Sequence, residues 1–170
     1  MNKNDSSFMT SAELVFGREN FKKFALESNK IEGIAGVTIK EVDALIKFCD
    51  ATEITIKELV EYVSVVQPNA KLRDASHLNV RVGDHVAPVG GVGLIKELRD
   101  MLEFVANDSA WNIHCDYETL HPFTDGNGRS GRALWLWMRL RESDSHAAIR
   151  RGFLHSFYYE TLDNVRREND

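Results

Sequence analysis

Apolar residues recur at helical spacing along most of this chain, so the sequence predicts a mainly α-helical fold. The clearest stripe, which includes Leu94, Leu98, Met101 and Val105, predicts a helix over 93–107. The same pattern predicts further helices at 11–26, 109–120, 129–142 and 153–167.

Two more helices are indicated by their N-terminal capping residues. Thr38 and Glu41 have the spacing of a capping box, and an apolar face follows them. Thr55 and Glu58 repeat the arrangement. We therefore expect a helix to begin just after each threonine.

Residues 80–91 depart from the helical pattern. Apolar residues alternate around Gly83-Asp84, which predicts a small β-hairpin with a type II′ turn. One interpretation is a plain connecting hairpin. The other is a docking site, because an isolated hairpin has unpaired backbone edges that can bind an extended peptide.

Length and composition indicate one ordinary globular domain over residues 1–170, with 43% hydrophobic and 28% charged residues. No apolar run approaches the roughly 20 residues that cross a bilayer. The start, MNKNDSSFMTSAEL, lacks the pattern of a secretory signal, so we expect a cytoplasmic protein. Cys49 and Cys115 show no metal-binding spacing and are expected to be reduced core thiols.

Charge is unevenly distributed along the chain. The net charge of −5 argues against nucleic-acid binding. Residues 121–170 nevertheless carry 8 arginines and no lysine, whereas residues 1–120 have 13 basic against 19 acidic residues. Arginine without lysine is suited to multidentate contacts with anions.

The candidate chemistry lies in one segment, HPFTDGNGRSGR at 121–132. Pro122 disfavours helical geometry at His121, which places the imidazole on a loop where it is free to face a cleft. Gly126-Asn127-Gly128 lets the backbone turn into a new helix, whose first N–H groups form an anion site best suited to phosphate.

Charged residues flank this turn. Arg129 and Arg132 are spaced to lean over the same anion. Asp125 would be unfavourable beside phosphates unless a cation such as Mg²⁺ lay between them. A base, a metal carboxylate, a backbone nest and two arginines together predict a phosphate-ester transfer site. The alternative is a helix–turn–helix junction with solvated arginines.

The helix that follows is apolar on nearly every side through Ala133–Met138. It is therefore expected to be the buried central helix. A site at its N-terminus would be held on a rigid element.

The segment HPFTDGNGRSGR fits the pattern HPFx[D/E]GNGRxxR without a mismatch and so resembles the signature of the Fic domain family. The resemblance implies a Fic-type helical bundle with a hairpin flap. It also implies transfer of AMP from ATP to a serine, threonine or tyrosine hydroxyl of a target protein. Doc-like kinases of the same superfamily alter this glycine-rich part, so intact Gly128 and Arg129 favour AMP transfer over phosphate transfer.

The resemblance assigns roles by motif position. His121 is the general base, and Asp125 binds Mg²⁺ or Mn²⁺. The flap, Val82–Gly91, docks the target by backbone pairing. ATP contacts are implied for the motif residues Asp125, Gly126, Asn127, Gly128, Arg129, Ser130, Gly131 and Arg132. They are also implied for the flap residues Val82, Gly83, Asp84 and His85, and for Tyr158 and Tyr159, which resemble an aromatic pair at the adenosine pocket but would equally suit the core.

A second motif lies earlier in the chain. Residues Ser28–Gly33, SNKIEG, fit the inhibitory pattern [S/T]xxxE[G/N] of the same family. The resemblance implies that a helix at about 11–33 carries Glu32, which pairs with Arg132 and takes the space of the γ-phosphate. The alternative is a simple helix end at Gly33.

Three functions follow from these interpretations. The leading one is a self-inhibited protein adenylyltransferase that docks its target on the flap, with a homo-oligomer and self-modification as further options. A de-AMPylating hydrolase, with Glu32 positioning water, is the second. A catalytically idle peptide-binding module is the third, and His121 and Asp125 argue against it. Neither nucleic acid nor membrane is an expected partner.

Overall fold

A computed structural model describes residues 10–142 and 146–168, and the described chain is mainly helical with one small hairpin. In chain order, the elements are α1 (Ser11–Phe16), α2 (Arg18–Ile31), α3 (Ile39–Asp50), α4 (Ile56–Val66), β1 (Arg81–Val82), β2 (His85–Val86), α5 (Val92–Glu103), α6 (Ala110–Leu120), α7 (Asn127–Arg139), α8 (His146–Ile149) and α9 (Phe153–Glu168). The predicted fold class is confirmed. Residues 1–9, part of the single domain expected over 1–170, lie outside the described residues.

Helix α7 is the central element of the bundle. It packs against α2, α3, α4, α6 and α8, and every side chain from Arg129 to Met138 is buried. Trp135 stacks on Phe24 with ring centroids 6.2 Å apart, and the Trp137 indole donates to the carbonyl of Ala51 at 2.8 Å. The prediction of a buried central helix is confirmed.

The N-terminal helix expected at 11–26 is instead two helices. Gly17, with φ 86°, separates α1 from α2 because that backbone angle does not continue a helix. Helix α2 then runs to Ile31, and Ser28 and Asn29 on its last turns are buried. The single inhibitory helix expected at about 11–33 is therefore wrong in its first third.

Both predicted capping boxes are present. Thr38 accepts from the backbone of Glu41 at 3.2 Å, and the Glu41 carboxylate returns a contact to the Thr38 backbone at 2.6 Å. Thr55 and Glu58 make the same box before α4. These boxes fix where α3 and α4 begin.

Other boundaries shift by a few residues. Helix α5 ends at Glu103, before a single 3₁₀ turn at Val105–Asn107, so the helix expected at 93–107 is shorter than predicted. Helix α7 begins at Asn127 and ends at Arg139, not at 129 and 142. The short α8 was not predicted. None of the described helices is long and apolar enough to cross a membrane.

The hairpin and the cysteines were also predicted. Val82 pairs with His85 across the two-residue turn, and Arg81 pairs with Val86, as expected. Cys49 is buried, whereas Cys115 is only partly buried, so the expectation of two core thiols holds for Cys49 alone.

Candidate active site

His121 lies where helix α6 ends. It has a left-handed backbone, with φ 51° and ψ 62°, and its N–H donates to the Tyr117 carbonyl at 2.9 Å. The amide of Asn127 holds the following loop, because it accepts from the Phe123 N–H and donates to the Phe123 carbonyl, each at 2.8 Å. Asn127 therefore holds the loop between His121 and α7 in one conformation.

A second segment braces the same loop. The Thr124 N–H donates to the Lys71 carbonyl at 2.9 Å, and the Arg73 N–H donates to the Pro122 carbonyl at 2.9 Å. Leu72 and Phe123 form the antiparallel bridge between these two bonds. The loop that carries the histidine is thus held as if it were part of a small sheet.

The side chain of Arg73 completes this support, and nothing in the sequence pointed to it. It is 0% exposed, and its Nη1 donates to the carbonyls of Leu120 and His121 at 3.2 and 2.7 Å. Nε donates to the Leu78 carbonyl at 2.8 Å, and Nη2 contacts the Pro88 carbonyl. One buried guanidinium therefore connects the loop that carries His121 with the segment that follows the hairpin.

The imidazole of His121 is suited to act as a base. Burial lowers its pKa below the usual value, the charges of Arg73 and His85 lower the pKa further, and Asp125 opposes them. Nδ1 lies 3.3 Å from the Glu118 carbonyl, which only accepts, so Nδ1 carries the proton and Nε2 has the lone pair. The neutral ring is the form present at pH 7.

The start of α7 is the candidate anion site. Gly126 precedes it in the left-handed conformation, φ 76°, and among the described residues no side chain caps the helix. Its first N–H groups therefore remain available to a negative group. The carboxylate of Glu32 already lies there, since a Cβ added to Gly128 would overlap Glu32 Oε1 and Cδ.

Arg132 joins the two predicted motifs. It is 5% exposed, and Nε donates to the Ser28 hydroxyl at 2.9 Å while Nη2 donates to the Ser28 carbonyl at 3.0 Å. The same Nη2 lies 2.5 Å from Glu32 Oε1. Gly33 directly follows Glu32, with φ 76°. The structure brings these four residues to one place.

Glu118 is a further charged group at the site that sequence reasoning missed. Burial raises its pKa to about 7, while Arg132 lowers the pKa and Glu32 raises it. It reaches α7 at Gly131, where an added Cβ would lie 2.5 Å from Glu118 Oε1. The helical spacing of Glu118 from His121 was the only available signal.

Three residues that were expected to contact the nucleotide instead contact other parts of the protein. Arg129 is buried, and its guanidinium binds the Val66 carbonyl and, at 2.7 Å, Gln67 Oε1 at the end of α4. The Ser130 hydroxyl lies 2.7 Å from the Tyr117 hydroxyl in the core. Gly131 faces α6, as its contact with Glu118 shows. The Arg129 and Ser130 side chains, and the close approach of α6 at Gly131, support the fold around the start of α7.

Asp125 is the candidate metal ligand, and it is exposed beside the anion site. Its Oδ1 accepts from the Gly126 N–H at 2.7 Å, and Oδ2 contacts the Gln67 amide. The described residues contain no cluster of three or more histidine, cysteine or acidic side chains suited to a metal. One exposed carboxylate beside a phosphate site fits Mg²⁺, which takes most of its other ligands from phosphate and water.

The remaining predicted ATP contacts lie on the hairpin and on α9. His85 Nε2 lies 2.9 Å from the Thr119 carbonyl, which fastens the Val82–His85 turn to the end of α6. Tyr158 and Tyr159 are 59% and 54% exposed, with ring centroids 5.3 Å apart. The alternative that the tyrosines are core residues is therefore wrong.

Comparison with known proteins agrees with this geometry. Residues 81–138, from the hairpin to the end of the central helix, match the Fic/DOC family. The likeness to the Fic/DOC family lies in this segment. The protein adenylyltransferase fic-1 of Caenorhabditis elegans is 29% identical over 141 residues, which cover 68% of this chain and 27% of that protein. The chain thus spans about a quarter of that relative's length, 27%.

Proposed function

We propose that this chain transfers AMP from ATP to a serine, threonine or tyrosine hydroxyl of a target protein, and that Glu32 restrains the reaction. The observation that carries the proposal is the position of the Glu32 carboxylate over Gly128, at the uncapped start of α7. A negative group therefore lies at the helix start to which this proposal assigns a nucleotide phosphate.

The reaction needs a base and an anion site next to each other. Nε2 of His121 takes the proton of the target hydroxyl, and the hydroxyl oxygen then bonds to the α-phosphorus. The bond from that phosphorus to the bridging oxygen breaks, and pyrophosphate leaves with its electron pair. The N–H groups at the start of α7 stabilise the charge on the phosphate oxygens.

Asp125 would hold Mg²⁺ or Mn²⁺ together with the phosphates of ATP. When bound, the cation would offset negative charge on those phosphates. Gln67 contacts Asp125 and Arg129 at once, so it fixes the orientation of the carboxylate.

The flap is the proposed docking edge for the target. Val82 and His85 close the turn as a hydrogen-bonded pair, so Arg81 and Val86 direct their backbone groups away from each other. Val86 is 67% exposed. A target segment can therefore add to β2 as a strand and bring its hydroxyl toward His121.

Inhibition follows from competition for Arg132. While its guanidinium is bound to Glu32 and Ser28, it is not available to the terminal phosphate of ATP. The Glu32 carboxylate also repels phosphate at the same place. The inhibitor and the site are in one chain, so no second protein is required for restraint.

A second candidate is removal of AMP from a modified protein. Glu32 uses Oε1 for Arg132, and its side chain is 37% exposed. A carboxylate half-open to solvent at the phosphate position is suited to orient water for attack. In this reaction Glu32 is required, whereas in AMP transfer it inhibits.

Labelling with radioactive ATP separates these candidates. The Glu32→Gly variant is incubated with α-³²P-ATP or γ-³²P-ATP and a cell lysate, and labelling of the chain itself is measured in parallel. We expect label from the α-phosphate only. Label from the γ-phosphate would indicate a kinase, and loss of label from a pre-labelled protein with wild type alone would indicate the hydrolase.

A further inference from the structure

Beside the flap lies a groove of about 520 Å³ that the proposed reaction does not use. We propose that it binds a basic stretch of the target protein, adjacent to the modified hydroxyl. This inference rests on the proposed function and adds the chemical character of its substrate. The groove runs between α5 and α6 and is bounded by Pro88.

The floor of the groove is apolar. Met101 and Phe104 contribute from α5 and its end, and Ile113 and Leu120 from α6. Ile113 and Leu120 are buried, whereas the Phe104 ring is 62% exposed at the end of its helix. An exposed aromatic ring next to a concave apolar floor is the usual anchor of a protein contact.

The rim of the groove carries one sign of charge. Glu97, Asp100, Asp108 and Asp116 line it, and no lysine, arginine or histidine among the described residues does so. Lys96 pairs with Asp100 from outside, at 2.6 Å, and offsets one of the four charges. Carboxylates around a concave apolar surface create a negative electrostatic potential, which attracts positively charged partners.

The groove is joined to the catalytic loop. Thr119 and Leu120 form part of its wall and directly precede His121. His85 is bonded to the Thr119 carbonyl, and Arg73 binds the carbonyls of Leu120, His121 and Pro88. Groove, flap and histidine are therefore held in one arrangement.

These features select the occupant. Strand β2 leads through Ala87 to Pro88, so a segment paired with β2 continues past the flap into the groove. Lysine or arginine side chains of that segment would meet the acidic rim, and its apolar side chains would meet Phe104. An acidic peptide, a nucleic acid and an anionic membrane would all be repelled.

Binding is measured first, without chemistry. Three fluorescent peptides share a central Ser-Thr-Tyr and carry flanks of lysine and leucine, glutamate and leucine, or serine and leucine. Fluorescence anisotropy with the wild-type chain should show about tenfold tighter binding of the lysine peptide at low salt, and the difference should shrink at about 0.5 M salt.

Variants then locate the binding surface. The double substitution Glu97→Lys with Asp116→Lys should remove or invert the preference for the lysine peptide. Glu19→Lys with Glu53→Lys makes the same change of net charge on exposed residues outside the groove and should leave the preference intact. Phe104→Ser should weaken binding of the lysine and serine peptides alike, because it removes the apolar anchor.

Two results would overturn the inference: equal binding of the three peptides, or equal effects of the two double substitutions. AMP transfer to the same peptides is measured separately with Glu32→Gly. If neither the peptides nor the chain itself are labelled, the proposed function fails, while the binding preference and its location are decided by the anisotropy measurements alone.

Discussion

The carboxylate of Glu32 meets the guanidinium of Arg132 at 2.5 Å, although the two residues are 100 positions apart in the chain. Arg132 is almost fully buried, whereas the Glu32 side chain is 37% exposed. The same carboxylate covers Gly128 at the start of α7. One residue thus pairs with the arginine and lies against the start of α7.

Removal of this carboxylate should activate the enzyme. We expect Glu32→Gly to raise the rate of AMP transfer about ten- to hundredfold, which corresponds to about 1.4–2.7 kcal/mol of released competition. Glu32→Gln should give part of the gain, because it removes the charge and keeps the size. Incorporation of α-³²P from saturating ATP measures the rate.

Lys30, two positions before Glu32, provides the matched control for Glu32. Lys30 is exposed on the last turn of α2, so Lys30→Gly loosens the same helix end without touching Arg132. It should leave the rate near that of wild type. Equal activation by Lys30→Gly and Glu32→Gly would mean that helix loosening, not the carboxylate, controls activity. Arg132→Ala should not activate, because it also removes a phosphate contact.

His121 should set the acid limb of the pH profile. Neutral imidazole is the active form, so activity is present above the pKa of His121 and is lost as pH falls through it. Because burial lowers that pKa, the midpoint of kcat/KM for Glu32→Gly should lie below the ordinary value of 6.5. His121→Ala should lower the rate about 100-fold or more, with ATP binding retained. A midpoint above 6.5 would contradict this assignment.

Transfer should require a divalent cation held at Asp125. Asp125→Ala in the Glu32→Gly background should reduce activity about 100-fold at limiting Mg²⁺, with partial recovery in excess metal. Asp74→Ala, an exposed aspartate in the segment that braces the catalytic loop, is the control. Full labelling in excess EDTA would remove the metal from the proposed reaction.

The outward edge of the flap should matter for the target more than for ATP. Val86→Pro removes one backbone donor of β2, and we expect the KM for the target to rise about three- to tenfold while ATP affinity stays unchanged. Val86→Thr keeps the donor and should behave as wild type. Equal losses in both ligands would make the hairpin a structural element only.

Arg73 should be a large contributor to stability. Arg73→Met keeps the stem but leaves the carbonyls of Leu78, Leu120, His121 and Pro88 without their donor. We expect a loss of about 3 kcal/mol in the free energy of unfolding, or roughly 10 °C in Tm. Arg99→Met, on an exposed residue, should change Tm by less than about 2 °C.

The features predicted from sequence are those set by local chemistry. Thr38 and Thr55 start helices through contacts with residues three positions later. Pro122 and the glycines that follow it specify a loop before a helix. Such signals need no knowledge of tertiary contacts. The hairpin, the central helix and the loop before that helix could therefore be predicted from the sequence.

The features that were missed depend on tertiary partners. Arg129 looked like a phosphate ligand, but its guanidinium is bound by the end of α4, which is more than 60 residues away. The roles of Arg73 and Glu118 depend on tertiary contacts of α6 and of the loop that carries His121, which the sequence pattern does not show. The sequence pattern predicts one helix across Gly17 because apolar spacing continues on both sides of it.

Glu27 anchors helix α2 just before the end that carries Ser28 and leads to Glu32. Its carboxylate accepts from the N–H groups of Phe153 and Leu154, at 2.8 and 3.2 Å, and so caps α9. Helix α2 is anchored there, and only the part from Ser28 onward can unwind while α9 stays in place. That part is about one turn, Ser28–Ile31. We therefore expect release of Glu32 to need only local fraying of this helix end, whereas displacement of α9 would also break the contacts of Glu27.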